Sequence, residues 1–256
     1  VKLYGVWIDG PLPRMFQLCI RSWQVLGYDV ALFVYEDTDG VPDGVQLLDA
    51  REVLPEIYRY DGPKRPGSPT LTANLIRYNW MADSGGTFID LDMFAFRELP
   101  AEPVIISSAP WARPPHWVSN FCVMRAPAGA GFVCTAREMA MQLIRDGCRQ
   151  WGKFGPLLYK EALGRVGMDS EEFVSPPGHY YPVANWLGKH IWEPYALPMP
   201  YDSYAMHLSH GKAIDAQIDR DGQFHPESLY ERLWRLLLDR EERRRDGQRP
   251  TPYCLA

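Results

Sequence analysis

Apolar positions recur at helical spacing in residues 70–83, where Leu71, Leu75, Tyr78 and Ala82 lie four, three and four apart. Asn74, Arg77 and Met81 form the adjacent stripe, so an amide and a guanidinium share one face. Ser84-Gly85-Gly86 ends this helix, because glycine accepts the left-handed backbone that follows a last turn. Thr87-Phe88-Ile89 then has the branched and aromatic character of a strand. Continued to residue 92, the alternation of a strand puts Asp90 and Asp92 on the same side.

The rest of the chain reads as alternating strands and helices. A strand over 3–8 is broken by Asp9-Gly10-Pro11, and a helix over 14–26 is closed by Gly27. A second strand over 29–35 completes a β-α-β unit. A short strand over 45–49, a short helix over 51–58 and a proline- and glycine-rich loop over 61–69 lead into the central helix. Beyond Asp92 come strands over 104–108 and 118–124, separated by a proline-tryptophan loop over 110–117. Helices follow over 131–145 and 157–166, then strand-like ends around a turn over 173–183. A short apolar strand ends in His207, with His210-Gly211-Lys212 behind it. The terminal helix over 227–245 turns Leu229, Leu233, Leu236 and Leu237 inward. No repeat, low-complexity segment or linker divides the chain, which predicts one domain over 1–256.

Two carboxylates on one side of a strand end repel unless positive charge lies between or beside them. A divalent cation that prefers oxygen, Mn²⁺ or Mg²⁺, is the usual answer, and it keeps ligand positions open for water and phosphate oxygens. The surroundings, Phe88, Ile89, Leu91, Met93, Phe94 and Phe96, are too apolar for a simple exposed loop.

In order, Arg77-Tyr78, Gly85-Gly86, an aromatic residue and Asp90-Leu91-Asp92 resemble the sugar-binding region with the DXD motif of retaining glycosyltransferases. Och1-like mannosyltransferases, α-1,4-galactosyltransferases and bacterial capsular sugar transferases share that arrangement. The resemblance implies a GT-A-like (Rossmann-like) α/β fold with a central mixed sheet and helices on both faces. It also implies a donor-binding half over about 1–125 and an acceptor side with a late metal ligand over about 126–256. The implied reaction is metal-dependent transfer of a sugar from a nucleotide-diphosphate donor to an acceptor hydroxyl with retention, UDP-sugar being favoured over GDP-sugar. The sequence departs from the family at Asn74, where an aspartate is usual.

The same resemblance assigns further residues. Trp7, Gly10, Pro11 or Pro13 and Ser22-Trp23 match the family's opening, which places Trp7 beside the base. Asn74, Arg77, Tyr78, Asp90 and Gly155 fall to donor binding, Gly155-Pro156 matching a glycine-proline step before a helix. Asp92 is the expected metal ligand, completed by His207 or His210, with Lys212 toward the diphosphate; the sequence does not choose between the histidines. Asp90 and Asn120 are the candidates for the catalytic group. Lys64 and Arg65, just before the central helix, read more readily as solvated cations than as phosphate ligands.

Bulk properties narrow the field. A formal net charge of −5 opposes general nucleic-acid binding. Five scattered cysteines with no CxxC pair indicate neither a zinc cluster nor a redox motif and suit a reducing compartment. Without a signal core or an apolar run of about 20 residues, the expectation is a soluble cytoplasmic, bacterial protein. The acceptor stays open among glycan, lipid-linked and small-molecule hydroxyls. Two rivals remain. One is a phosphatase of the haloacid-dehalogenase type, whose Asp-x-Asp normally lies in the first strand and continues to a hydroxyl or valine where this chain has Phe94. The other is a catalytically idle nucleotide-sugar-binding relative.

Overall fold

Strand alternation divides the core in two. In β2 (Asp29–Val34), Leu32 and Val34 turn to one apolar cluster and Phe33 to the other. The first cluster is closed by α1 (Arg14–Val25) and α6 (Leu229–Arg245), the second by α2 (Thr70–Asp83), α3 (Gly131–Arg145) and α4 (Pro156–Arg165). The computed structural model describes residues 1–110, 117–170 and 172–248.

The sheet has six strands in the order β3-β2-β1-β4-β7-β6, namely β1 (Lys2–Val6), β2, β3 (Gln46–Asp49), β4 (Gly86–Ile89), β6 (Ile105–Pro110) and β7 (Trp117–Ala126). Strands β3, β2, β1 and β4 are parallel, and β7 runs antiparallel to both β4 and β6. This is the expected mixed α/β sheet with helices on both faces. The chain builds outward from β1 to β3, then returns to lay β4 on the other side of β1. The C-terminal ends of β1 and β4 therefore meet at the point where strand order reverses, the place where open α/β sheets bind ligands. A separate two-stranded ribbon pairs β5 (Met93–Ala95) with β8 (Ala205–His207), Met93 opposite His207.

Three local expectations are corrected. Residues 51–58 form no α-helix: Asp49 caps a single 3-10 turn, Ala50–Glu52, and Pro55 then disfavours helical backbone at Leu54. Residues 173–183 contain no strand, since Pro176, Pro177 and Pro182 lack N–H donors, and only a 3-10 turn, Pro177–His179, forms. Asp90 and Asp92 do not share a side by alternation, because β4 stops at Ile89 and the Met93 N–H closes a turn on the Asp90 carbonyl at 3.2 Å. His210-Gly211-Lys212 opens a short helix, α5 (His210–Asp215). The proline-tryptophan loop lies, between its ends, outside the described residues.

The Gly-Gly step is fixed by space as much as by conformation. Gly85 has φ +66°, and a Cβ there would lie 2.4 Å from the Ala128 nitrogen and 2.8 Å from the Pro127 carbonyl carbon. Left-handed backbone alone costs a residue with a side chain about 1–2 kcal/mol, and this clash is with backbone that cannot swing aside. Gly85→Ala is expected to lower the unfolding free energy read from urea titration by more than that conformational cost, and the midpoint with it. Gly62→Ala, at a glycine facing open space, should leave it in place; equal midpoints for the two variants would contradict this account of the turn.

Candidate metal and donor site

The turn after β4 is held from several sides. The Asp90 N–H donates to the Cys122 carbonyl at 2.8 Å, and the Asp92 carbonyl accepts from the Leu208 N–H at 2.8 Å. Leu91 packs over Gly5 of β1, where an added Cβ would meet Leu91 Cδ2 at 2.4 Å, so the bare backbone lets the turn settle onto the sheet. The strand that follows is clamped. Trp23 Nε1 donates to the Met93 carbonyl, the Ala95 N–H donates to Ser22 Oγ, and Arg240 donates to the Ala95 and Phe96 carbonyls at 2.9 and 2.6 Å. Burial pulls the Arg240 pKa down to about 10, which leaves it cationic at neutral pH.

Each aspartate has one oxygen engaged by the protein and one turned inward. Asp90 Oδ1 accepts from Arg77 NH2, and Asp92 Oδ2 accepts from the His210 N–H at 2.9 Å. The remaining oxygens face His207 Nε2, Asp92 Oδ1 at 3.3 Å and Asp90 Oδ2 at 3.9 Å. The three candidate ligand atoms all lie within 4.8 Å of one another. Adjacent ligands of an octahedral ion with bonds of about 2.1 Å lie roughly 3 Å apart, so the group is close to the size required. Two carboxylates and an imidazole also suit Mn²⁺ chemically, and the residues fit a divalent cation. One adjustment accompanies coordination. His207 Nδ1 accepts the Ser209 N–H at 2.9 Å, which assigns the proton to Nε2 in the metal-free ring. Ligation through Nε2 requires that proton to move to Nδ1, where Ser209 Oγ stands at 3.4 Å.

Arg77 comes from the α2 face read in the sequence, but it is 3% exposed and sits over the rings of Phe88 and Phe121, 5.0 and 4.4 Å from their centroids. Its contact is with Asp90, so its place is behind the carboxylate. Tyr78 is fully buried, and its hydroxyl donates to the Phe154 carbonyl at 3.1 Å. Burial raises its pKa far above the ordinary phenol range. It is a core residue under the Gly155 segment. Gly155 caps α4 facing open space. Asn74 is buried, with Nδ2 3.4 Å from the Tyr60 hydroxyl.

Trp7 lies just past β1, its indole N–H donating to the Gly10 carbonyl and its ring 4.7 Å from Phe16. The His210 ring packs on Phe16 at 5.0 Å. Burial drops the His210 pKa to about 4, so the ring is neutral at ordinary pH. Its backbone caps Asp92 while its ring stays outside the group formed by Asp90, Asp92 and His207, so of the two histidines it is the His207 ring that meets the aspartates. The Lys212 side chain lies outside the described residues. Lys64 is exposed, whereas Arg65 donates to the Gly211 carbonyl and Asp215, tying the 61–69 loop to α5.

Asn120 sits where β7 bulges: Ile106 pairs with Met124, but Ser108 pairs with Ser119. Its Oδ1 accepts the Cys122 N–H at 2.9 Å and its Nδ2 donates to the Tyr181 hydroxyl at 3.2 Å. Tyr181 itself, stacked on His207 at 4.6 Å and 18°, was not legible in the sequence. It lies in a proline-rich stretch with no periodicity, and its neighbour is 26 residues further along the chain.

No protein-family model matches the chain, and no curated protein matches it by sequence. Solved glycosyltransferases are among the structures to which it is similar. The PaToxG glycosyltransferase aligns with TM-score 0.48 and 10% identity, over 91% of this chain and 84% of that one. The glycosyltransferase GlyE of Streptococcus pneumoniae TIGR4 aligns with TM-score 0.48 and 12% identity, over 97% of this chain and 64% of GlyE. The UDP-bound glycosyltransferase domain of the YGT toxin aligns with TM-score 0.40 and 11% identity, over 85% of this chain and 78% of that domain. Likeness at this level speaks to neither activity nor substrate, which rest on the chemistry of the site. No helix among the described residues is long and apolar enough to cross a membrane.

Asp92→Asn keeps an oxygen for the His210 N–H but turns an amide toward His207. It should abolish measurable Mn²⁺ binding in calorimetry while moving the melting temperature by no more than about 2–4 °C, the effect of roughly 1 kcal/mol in a chain of this size. A variant that unfolds instead would make Asp92 a structural residue.

Proposed function

We propose that this protein is a metal-dependent glycosyltransferase that moves a sugar from a nucleotide-diphosphate donor, UDP-sugar favoured, to an acceptor hydroxyl with retention. The observation that carries the reading is the meeting of Asp90, Asp92 and His207 at the C-terminal end of β4, beside Trp7 at the end of β1. Asp92 Oδ1, Asp90 Oδ2 and His207 Nε2 would hold Mn²⁺ or Mg²⁺. When bound, that ion supplies the positive charge that steadies a leaving diphosphate.

The chain's own residues prepare the site. Arg77 fixes Asp90 through one charge-assisted hydrogen bond, with its guanidinium set over the Phe88 and Phe121 rings, a stacked placement that lysine does not reproduce. Trp7, with its indole N–H already bonded, offers ring and backbone at the strand end as a seat for the base. The neutral His210 ring and Phe16 continue that aromatic wall. Of the two catalytic candidates, Asn120 has both amide atoms engaged within the protein, and Asp90 has Oδ1 on Arg77 and Oδ2 turned to the ion's place, so neither offers a free atom to the sugar. Asn74, buried against Tyr60, is assigned to donor binding by the family resemblance alone. Gly155 and Lys212 complete the donor assignment, and the acceptor is a glycan, lipid-linked or small-molecule hydroxyl. A net charge of −5 argues against nucleic acid.

Calorimetric titration with UDP and with GDP, each with and without Mn²⁺, tests this reading. Metal-dependent binding of UDP, together with slow metal-dependent hydrolysis of a UDP-sugar when no acceptor is present, is expected. Binding without hydrolysis would indicate an idle binder. No binding of either nucleotide would remove the transferase reading, and a phosphoryl-enzyme trapped at Asp90 would replace it with the phosphatase.

A further inference from the structure

The imidazole of His207 hangs on a soft torsion. Rotation about the bond from Cβ to an aromatic ring is broad and roughly two-fold, so a histidine aimed at two carboxylates needs restraint from outside its own backbone. In the metal-free ring, in-plane restraint comes from the Ser209 N–H on Nδ1 at 2.9 Å, a bond given up when ligation puts the proton on Nδ1. That bond fixes one edge of the ring and leaves it free to tilt about the axis of the bond.

The face of the ring meets a second support. Tyr181 lies nearly parallel to His207, with ring centroids 4.6 Å apart and planes 18° apart, a stacked arrangement. Tyr181 is itself anchored at both ends. At its tip, the hydroxyl accepts from Asn120 Nδ2 at 3.2 Å. The orientation of that amide is set by the Cys122 N–H, which donates to its oxygen. At its base, the segment before it runs beside β8, where the Tyr204 N–H donates to the His179 carbonyl and the His207 N–H to the Tyr180 carbonyl. Ser175 joins the same segment to β6 through Ile106 and Ser108. The bulge in β7 that exposes Asn120 to Tyr181 thus has a use: it connects the sheet to the face of the histidine ring.

We propose that Tyr181 is a positioning residue for the metal site, holding the plane of His207 so that Nε2 stays aimed between Asp90 and Asp92, with Asn120 holding Tyr181 in turn. This assignment rests on the reading of Asp90, Asp92 and His207 as a metal site. It also gives Asn120 a role through the tyrosine instead of through the substrate. Partners that orient metal-binding histidines carry about 10- to 100-fold in metal affinity.

Two readouts test it. In the metal-free protein, proton NMR of the His207 ring should show upfield displacement from the stacked phenol, largely kept in Tyr181→Phe and lost in Tyr181→Leu. Calorimetry with Mn²⁺ alone should give Tyr181→Phe within a few-fold of wild type and Tyr181→Leu about 10- to 100-fold weaker. Tyr181→Met takes the place of the leucine variant if that protein lacks wild-type near-ultraviolet circular dichroism. Wild-type affinity in the leucine or methionine variant, affinity in Tyr181→Phe as poor as in Tyr181→Leu, or an unshifted His207 ring would each overturn the role of Tyr181 alone. A wild-type protein that shows the ring shift and binds no Mn²⁺ would overturn the metal reading, and this role with it.

Discussion

Two aspartates turned toward one imidazole are the constraint around which this molecule is arranged. Like charges this close repel, and the fold answers by giving each carboxylate a donor on its outer oxygen. Arg77 takes Asp90 from behind and the His210 N–H takes Asp92 from the side. The inner oxygens are left facing His207 Nε2. An arginine buried between Phe88 and Phe121 is a costly element of a core, and its placement makes sense as the fixed charge that holds Asp90 in one orientation.

Holding that orientation is work shared across the whole chain. The turn settles onto β1 because Gly5 leaves room for Leu91. The strand after it is gripped by Ser22 and Trp23 from α1 and by Arg240 from α6. His207 arrives from β8, paired opposite Met93, the residue that closes the turn. Helices on one face of the sheet therefore steady the ligand strand, while α2 on the other face supplies Arg77. Such convergence from both layers is what a site at a strand-order reversal permits.

Much of this was legible in the sequence, and the parts that were not share a cause. The helix over 70–83 showed its stripe at helical period and ends one residue before Ser84, and α3 occupies residues 131–145 as its pattern predicts. The parallel start of the sheet followed from β-α-β spacing. Asp90, Asp92 and Arg77 could be singled out because a short segment carries all three. Their geometry could not, since a turn, not strand alternation, brings the carboxylates together. Tyr78 shares a helix with Arg77 and resembles a donor residue in sequence, yet its hydroxyl is bonded to Phe154 in the core. The preference for His207 over His210 depends on which atom of each residue reaches Asp92, a side chain in one case and a backbone N–H in the other. Tyr181 gave no signal because its partners, Asn120 and His207, lie far along the chain in elements that meet only after the sheet has formed.

Whether His207 and the two aspartates hold one divalent cation is read by pulsed electron paramagnetic resonance of Mn²⁺ bound to the protein. Nitrogen modulation from one directly bound imidazole, lost in His207→Ala with the protein still folded, is the result this account predicts. Bound Mn²⁺ with no nitrogen coupling, or with coupling that survives His207→Ala, would contradict it.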